Sequence, residues 1–405
     1  MSQTAKNMRS LEASTLVGGV DVLLKDEGSV LVEAVPNFSL LRKEEVEEAS
    51  ARFRLSLQNL NAGGADTCKF LDVHFDADHQ RSVWTLAGTC RGVMEGLQIL
   101  TQLILPSVDM REYSGVHPAM GALDVLPFVL LSHHGSYEAS EEGLSDVPLE
   151  AFEPRQFRGS HAGRRIGFHG LLFPTTPSEL RKTAPTMGAG AADESGYASV
   201  FAYTRDFAGW LWKVFGVPSY FYGMGATSIG RRELPSVRKP FGLLESYIAE
   251  GHLPDVGDPS PHRVWGASAI GIRRPLVAFN VVLETGDIGI GRRIAARLRQ
   301  KRAKGELPGI RALAFYLPSK SAVQISLNLT EPARLGVAAA FRAVQREAGL
   351  EGAAPASAEV VGLVPRVALE GCTSEIFDIC PGLSESVLED RLRSAGLELG
   401  GAPIS

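Results

Sequence analysis

Two stretches of this chain, 29–131 and 276–364, carry the same succession of elements, and that repetition limits the fold more than any other feature. In the first stretch an apolar run from Val30 ends at Pro36, which reads as a strand that the proline stops. Ser39 suits a helix N-cap, and Val46, Ala49, Phe53 and Leu57 recur on one helical face, with Glu44, Glu45, Glu47 and Glu48 weighted toward the start. Strands over 67–74 and 81–88 follow, joined by the polar loop 75–80 and close enough for a hairpin. A helix over 91–105 turns Val93, Leu97, Leu100 and Ile104 inward, Pro106 closes it, and a strand over 122–131 completes the set. The second stretch reads as a strand at 276–283, a helix at 288–303, strands at 310–317 and 322–328, a helix at 334–347 and a strand at 360–364. Each order is βαββαβ, the ferredoxin-like split βαβ pattern. The expected fold is therefore α/β (α+β), two ferredoxin-like βαββαβ subdomains with a ligand groove between them.

Between the two stretches the periodicity fails over 132–199, and a structureless run of that length in a compact domain predicts an insertion. A helix over 200–215 and a strand over 217–222 return the chain to the first subdomain. The expected division is an arm at 1–28, a first subdomain at 29–235, a second at 236–365 and a tail at 366–405, whose amphipathic helix at 385–395 docks on the second subdomain. A length of 405 residues suits two ordinary domains, and a net charge of -5 argues against a nucleic-acid-binding surface. A small molecule is the expected partner. Cys68, Cys90, Cys372 and Cys380 have neither metal-ligand spacing nor the density of a disulfide scaffold, so they read as reduced thiols. His133, His134, His161 and His169 form no helical i, i+4 pair and have no Cys partner, so no metal is expected and a zinc hydrolase is the weakest reading. With acidic residues near its start and no run apolar enough to span a bilayer, the chain is expected in the cytoplasm, with an organelle as the alternative.

His117 stands between a glycine turn and Pro118, just before a buried strand. Backbone near Gly115 and Gly121 can approach a ligand closely, and an imidazole can take and return a proton near neutral pH. Taken alone, such a histidine also reads as a loop anchor at a strand mouth. The connector with Arg231, Arg232, Arg238 and Lys239 reads as a solvated face, or, beside a cleft, as an attractor for an acidic substrate. The Gly- and Pro-rich run 254–267 with Trp265 reads as a linker or as a rigid wall with an aromatic for stacking.

In order along the chain stand Val35-Pro36-Asn37-Phe38-Ser39, His117-Pro118 with Met120-Gly121-Ala122-Leu123-Asp124-Val125 and Pro127-Phe128, and Trp265-Gly266-Ala267 with Gly271 and Arg273. Ala278-Phe279-Asn280, Gln324-Ile325-Ser326, Asn328-Leu329-Thr330 and Val361-Gly362-Leu363-Val364-Pro365 follow. This series resembles the formiminotransferase domain of the glutamate formimidoyltransferase family. The resemblance implies two α/β subdomains and transfer of a formimidoyl group between N-formimidoyl-L-glutamate and tetrahydrofolate, the folate serving as co-substrate. It places the catalytic histidine at His117, acting as general acid and base, and His74 where the family has an acidic residue that assists it. Arg273, Arg81 and Asn328 are the expected substrate-binding residues, since forked guanidiniums suit carboxylates. The family's folate contacts fall on Asp255, Gly257, Trp265 and Gly266, with a second segment at Gly305 and Leu307.

The chain departs from the family at Leu40-Leu41, at Glu112-Tyr113-Ser114 and at Ala119, where the family has arginine. Those departures keep two alternatives in view, formyl transfer between 5-formyltetrahydrofolate and glutamate, and a catalytically weakened folate-binding protein. A homodimer is the expected assembly. The helical cyclodeaminase domain of the bifunctional relatives has no counterpart in the sequence, so no ammonia release is expected.

Overall fold

The computed structural model describes residues 30–39, 42–62, 67–133, 191–399 and 404. The arm 1–28, the pair Leu40-Leu41, and most of the expected insertion, with His134, His161 and His169, lie outside the described residues.

The first unit begins with β1 (Val30–Ala34) and β2 (Asn37–Phe38), which are two halves of one strand. Both pair with the same neighbours, β4 (Arg81–Thr89) and β5 (Leu123–His133). Pro36 has no N–H to give the ladder, so pairing lapses there, although its carbonyl still accepts from Trp84 N at 3.0 Å. The helix α1 (Lys43–Asn61) follows and buries the expected Val46, Ala49, Phe53 and Leu57. Next come β3 (Cys68–Asp76), paired to β4, and α2 (Cys90–Ile104), capped by Thr89 accepting from Gly92 N at 3.1 Å. The strand order β3-β4-β1/β2-β5 is the one a ferredoxin-like βαββαβ unit produces.

The sheet then grows past the repeat. A long helix, α3 (Ala191–Phe215), returns the chain to β6 (Ser219–Gly223), and β7 (Ser268–Ile272) inserts parallel between β5 and β6. No strand is expected at 268–272 from sequence, and its position moves the boundary between subdomains. The first unit extends to Ile272 and does not end near 235. Two short helices, α4 (Leu234–Val237) and α5 (Leu244–Ala249), cover this extension by packing Val237, Leu244 and Ile248 on Tyr220, Tyr222 and Ala269.

The second unit contains β8 (Val277–Leu283), α6 (Ile288–Ala303), β9 (Ile310–Leu317), β10 (Ala322–Leu329), α7 (Val337–Gly349) and β11 (Pro355–Val361). Its antiparallel order, β11-β8-β10-β9, repeats that of the first unit. The last strand starts earlier than 360 because Pro355 to Ala358 are small residues with no clear alternation, on an edge where proline is tolerated.

In each unit the helices cover one sheet face. Phe38, Phe53, Trp84, Leu97, Phe128 and Phe207 fill the first core, and Phe279, Leu298, Ile325 and Phe341 the second. Period-2 alternation therefore sends Arg81, Val83 and Thr85 of β4 to the helix-free face of the first sheet. By the same rule Phe315 of β9 and Gln324, Ser326 and Asn328 of β10 lie on the helix-free face of the second. These faces meet. Phe315 lies 5.4 Å from the ring of His79, Ser319 N donates to Asp78 at 3.1 Å, and a side chain at Gly362 would touch Thr85 and Val83. The tail differs from expectation. After α8 (Ser374–Ile379) joins the second core, α9 (Leu388–Ser394) wedges between the units, with Leu388, Leu392, Leu397 and Ile404 packed on Leu71, Ala87 and Leu363. Apolar residues from both sheets make the mixed seat energetically better than docking on one.

Candidate active site

The His117 loop leaves α2 through Pro106 and crosses the mouth of β5, and the Gly- and Pro-rich run holds it from below. Met110 N donates to Val264 O at 3.0 Å, Ala122 N to Trp265 O at 3.0 Å and Ala267 N to Met120 O at 3.1 Å. Gly121 pairs with Gly266, whose φ of 68° and approach to the Met120 carbonyl leave no room for a side chain.

Asp124, the second residue of β5, is fully buried at 0% exposure. Its carboxylate accepts from Met120 N at 2.9 Å and from Arg238 Nε at 3.0 Å and Nη2 at 2.5 Å. Arg238 reaches in from the connector after α4, and its Nη2 also contacts the Pro118 carbonyl and lies 3.1 Å from His117 Nδ1. Nη2 has two hydrogens and three neighbours within reach. The carboxylate and the carbonyl are the stronger acceptors, so His117 Nδ1 carries its own proton and donates it to the Pro118 carbonyl at 3.0 Å. Nε2 is then the unprotonated nitrogen. Burial first, then the charges of Arg81 and Arg238, hold His117 well below the usual imidazole value, against an opposing pull from the Pro118 carbonyl. Such a ring stays neutral at physiological pH.

Three groups surround the imidazole. Phe315 packs 5.1 Å from its centre, His79 lies 6.0 Å away, and the Tyr113 hydroxyl sits 2.6 Å from the His117 carbonyl and 2.8 Å from that of His79. The Arg81 guanidinium makes no hydrogen bond or ion pair among the described residues. Burial and the neighbouring Arg238 weaken its hold on its proton, while Asp124 supports it. A half-buried cation with free donors is a receptor for a carboxylate.

Other expected residues fall elsewhere. Arg273, just past β7, donates to the Arg274 carbonyl at 3.0 Å and lies near Tyr222 and the buried carboxyl of Glu33. Burial pushes Glu33 up to about 7 against the charge of Arg273, and Glu389 adds to the rise. His74 sits on β3 opposite Val83 and makes no hydrogen bond among the described residues. Asn328 is exposed, opposite Arg311 and four residues along β10 from Gln324, roughly 13 Å further down the groove.

Most of the expected folate contacts serve the scaffold. Asp255 accepts from Phe221 N, Thr227 Oγ1 and Arg231 Nη1 at 2.7, 2.5 and 2.8 Å, which uses its carboxylate up. Gly257 lies against Trp212 and Pro218. Trp265 stacks on His262 at 4.5 Å and donates to the Val108 carbonyl at 3.1 Å, so its ring faces are committed on the helical side of the sheet. Gly305 follows the end of α6 with a φ of 78°, and Leu307 is in the second core. Of the six, only Trp265 and Gly266 touch the His117 loop.

Sequence reasoning gave no role to Asp124 or Tyr113, passed over His79, Asp76 and Phe315, and took Arg238 only as part of a basic run. A buried acid in the second position of a strand and a lone arginine after a proline-containing turn were the available signals. Among the described residues no group of three His, Cys, Asp or Glu is placed to hold a metal, and no helix is long and apolar enough to cross a membrane.

Comparison with known proteins agrees with this architecture. The N-terminal subdomain of the formiminotransferase domain matches residues 31–144 and 191–273, and the formiminotransferase domain matches 278–376. The break between 144 and 191 coincides with the expected insertion. Glutamate formimidoyltransferase of Thermoplasma acidophilum is 32% identical over 84% of this chain and 89% of its own length, and that of Streptococcus pyogenes is 27% identical over 84% and 90%. The formimidoyltransferase-cyclodeaminase of Sus scrofa is 29% identical over 84% of this chain but only 51% of its own length, so the chain spans about half of that bifunctional relative. With both subdomain patterns matched in order on the two observed units, the chain belongs to the formiminotransferase domain family.

Proposed function

We propose that this chain transfers a formimidoyl group between N-formimidoyl-L-glutamate and tetrahydrofolate, with His117 as the base. The observation that carries the reading is the neutral His117 ring beside an unpaired, half-buried guanidinium, in a groove between two units of a family whose named relatives are glutamate formimidoyltransferases. The folate amine attacks the formimidoyl carbon and a C–N bond forms. Nε2 of His117 takes the proton that the amine sheds, the tetrahedral carbon then expels the glutamate nitrogen, and that nitrogen must gain a proton as it leaves.

Arg81 binds a carboxylate of the glutamate moiety, and Arg273 a second one further along the sheet. Phe315 gives the flat folate ring an apolar surface. Asn328 serves the far end of the same groove. The expected contacts at Asp255, Gly257, Trp265, Gly305 and Leu307 are not part of this proposal, because the first three and Leu307 are occupied in the scaffold and Gly305 only ends a helix.

The test mixes the protein with both substrates and follows the methenyl-type absorbance developed by acid. Wild type should turn over, and His117→Ala should lose on the order of 10² to 10⁴ in kcat with its unfolding midpoint unchanged. Full activity in His117→Ala would remove His117 from the mechanism.

A further inference from the structure

The transfer needs two proton movements, and the loop places a second imidazole beside the first. His79 lies in the tight turn between β3 and β4, 4% exposed, with its ring 6.0 Å from that of His117 and tilted 44° to it. Both rings pack on Phe315, at 5.4 and 5.1 Å. Its Nδ1 lies 3.0 Å from Asp76 Oδ2, within ion-pair range but not aligned as a hydrogen bond, and its backbone N–H donates to Asp76 Oδ1 at 2.9 Å, so one carboxylate caps the turn and sits beside the ring. Nε2 has no hydrogen-bond partner among the described residues. The Tyr113 hydroxyl, shared by the carbonyls of His79 and His117, ties the two backbones together.

The charges around the two rings are opposite. Burial works to raise Asp76, but the ring and backbone of His79, with the charge of His74, bring it down to about 2, so a full negative charge faces His79 Nδ1 at any working pH. His117 instead faces Arg81 and Arg238. His79 is thus the ring with a carboxylate beside it, and His117 the ring with two guanidiniums. Rings about 6 Å apart leave room for a reacting atom within the roughly 2.6–3.2 Å of proton transfer from a nitrogen of each.

We propose that His79, oriented by Asp76, is the second proton carrier of this site and delivers the proton to the departing nitrogen, while His117 takes the proton from the attacking one. This rests on the formimidoyl-transfer reading. As the bond between the tetrahedral carbon and the glutamate nitrogen breaks, its electron pair takes the proton from His79 Nε2. That leaves His79 neutral with its remaining proton on Nδ1, beside Asp76, and the proton on His117 passes back across the gap through solvent to reset the pair. His74, which occupies the sequence position of the family's assisting acid, has no such place in the step.

The test uses two donors on the whole chain, the glutamate-derived one and an O-aryl formimidate, whose departing aryloxide is stable as the anion and needs no proton. With the first donor His79→Gln should lose on the order of 10²-fold in kcat, and Asp76→Asn, which keeps the oxygen that caps the turn, about tenfold. With the aryl donor both losses should shrink to less than about threefold, while His117→Ala stays impaired on both donors. Equal losses for His79→Gln on the two donors mark a structural role and overturn the proposal, as does full activity on the first. Wild type that turns over neither donor sinks the transfer reading and this step with it, whereas an active wild type with a donor-independent His79→Gln sinks this step alone.

Discussion

The two βαββαβ units share a strand order and a helical face, yet they differ where the second helix returns to the fourth strand. In the second unit that return is a short turn from Leu350 to Ala354 between α7 and β11. In the first it is the whole His117 loop, from Leu105 to Ala122, pinned by a segment that itself becomes a strand of the same sheet. Their helix-free faces differ as well. The first presents Arg81, Asp76, Glu33 and the Asp124–Arg238 pair, whereas the second presents Phe315 and an amide–carboxyl relay in which Asn280 and Gln324 donate to Glu359 at 3.0 and 3.2 Å. The lesson is that the repeated frame supplies a groove and a stable wall, and chemistry was added to one copy by lengthening one connection.

That contrast makes perturbations of the first unit change pH dependence and turnover, while those of the second unit away from the groove change stability alone. The largest expected effect is at Glu33, 6% exposed and raised to about 7. Because its folded value lies above its unfolded one, the folded chain keeps a proton that the unfolded chain releases. The associated stabilisation is complete below about 4.5, declines as pH rises and is gone above about 7, a change of about 3 kcal/mol. Denaturant unfolding at pH 5 and pH 8 should show that decline in wild type and not in Glu33→Gln, which should be the more stable protein at pH 8. Identical pH curves for the two would return Glu33 to an ordinary surface-like carboxyl.

Next comes Arg81→Met, which removes a charge-assisted contact of about 1.5–3 kcal/mol and should lower kcat/KM for the glutamate donor roughly 10- to 100-fold. A formamidine donor lacking carboxylates should show little change. An equal drop on both donors would mean that Arg81 supports the loop and does not bind substrate. The smallest effect is in the second unit. Gly305→Ala strains a left-handed backbone with open space around it and should cost about 1 kcal/mol of stability with kcat and KM for folate unchanged. A raised KM there would restore Gly305 to the folate site and weaken the contrast between the units.

Much of the frame was legible because it depends on local rules. Val46, Ala49, Phe53 and Leu57 are at helical spacing, β8 is a nearly continuous apolar run and β10 alternates cleanly, so element order and the groove followed from them. The boundary did not, because β7 is five residues of a run whose glycines and prolines mask strand character, and its partners β5 and β6 are remote in sequence. Arg238 and Asp124 are 114 residues apart, and nothing local to either names the other. His117 was legible from its motif, but its state was not, since that depends on which neighbours bring charge. The tail was misplaced because Leu388 and Leu392 read equally well against either unit.

The most direct test of the account is the acid limb of kcat/KM against pH for the formimidoyl donor. Burial and two guanidiniums favour the neutral ring, so activity should persist on acidification to well below pH 6.5 before protonation of His117 removes it. In Arg81→Met, with one of those charges gone, the limb should move upward. A limb at or above 6.5 in wild type, or one that does not move in Arg81→Met, would contradict the claim that this loop holds a neutral histidine ready to accept the proton.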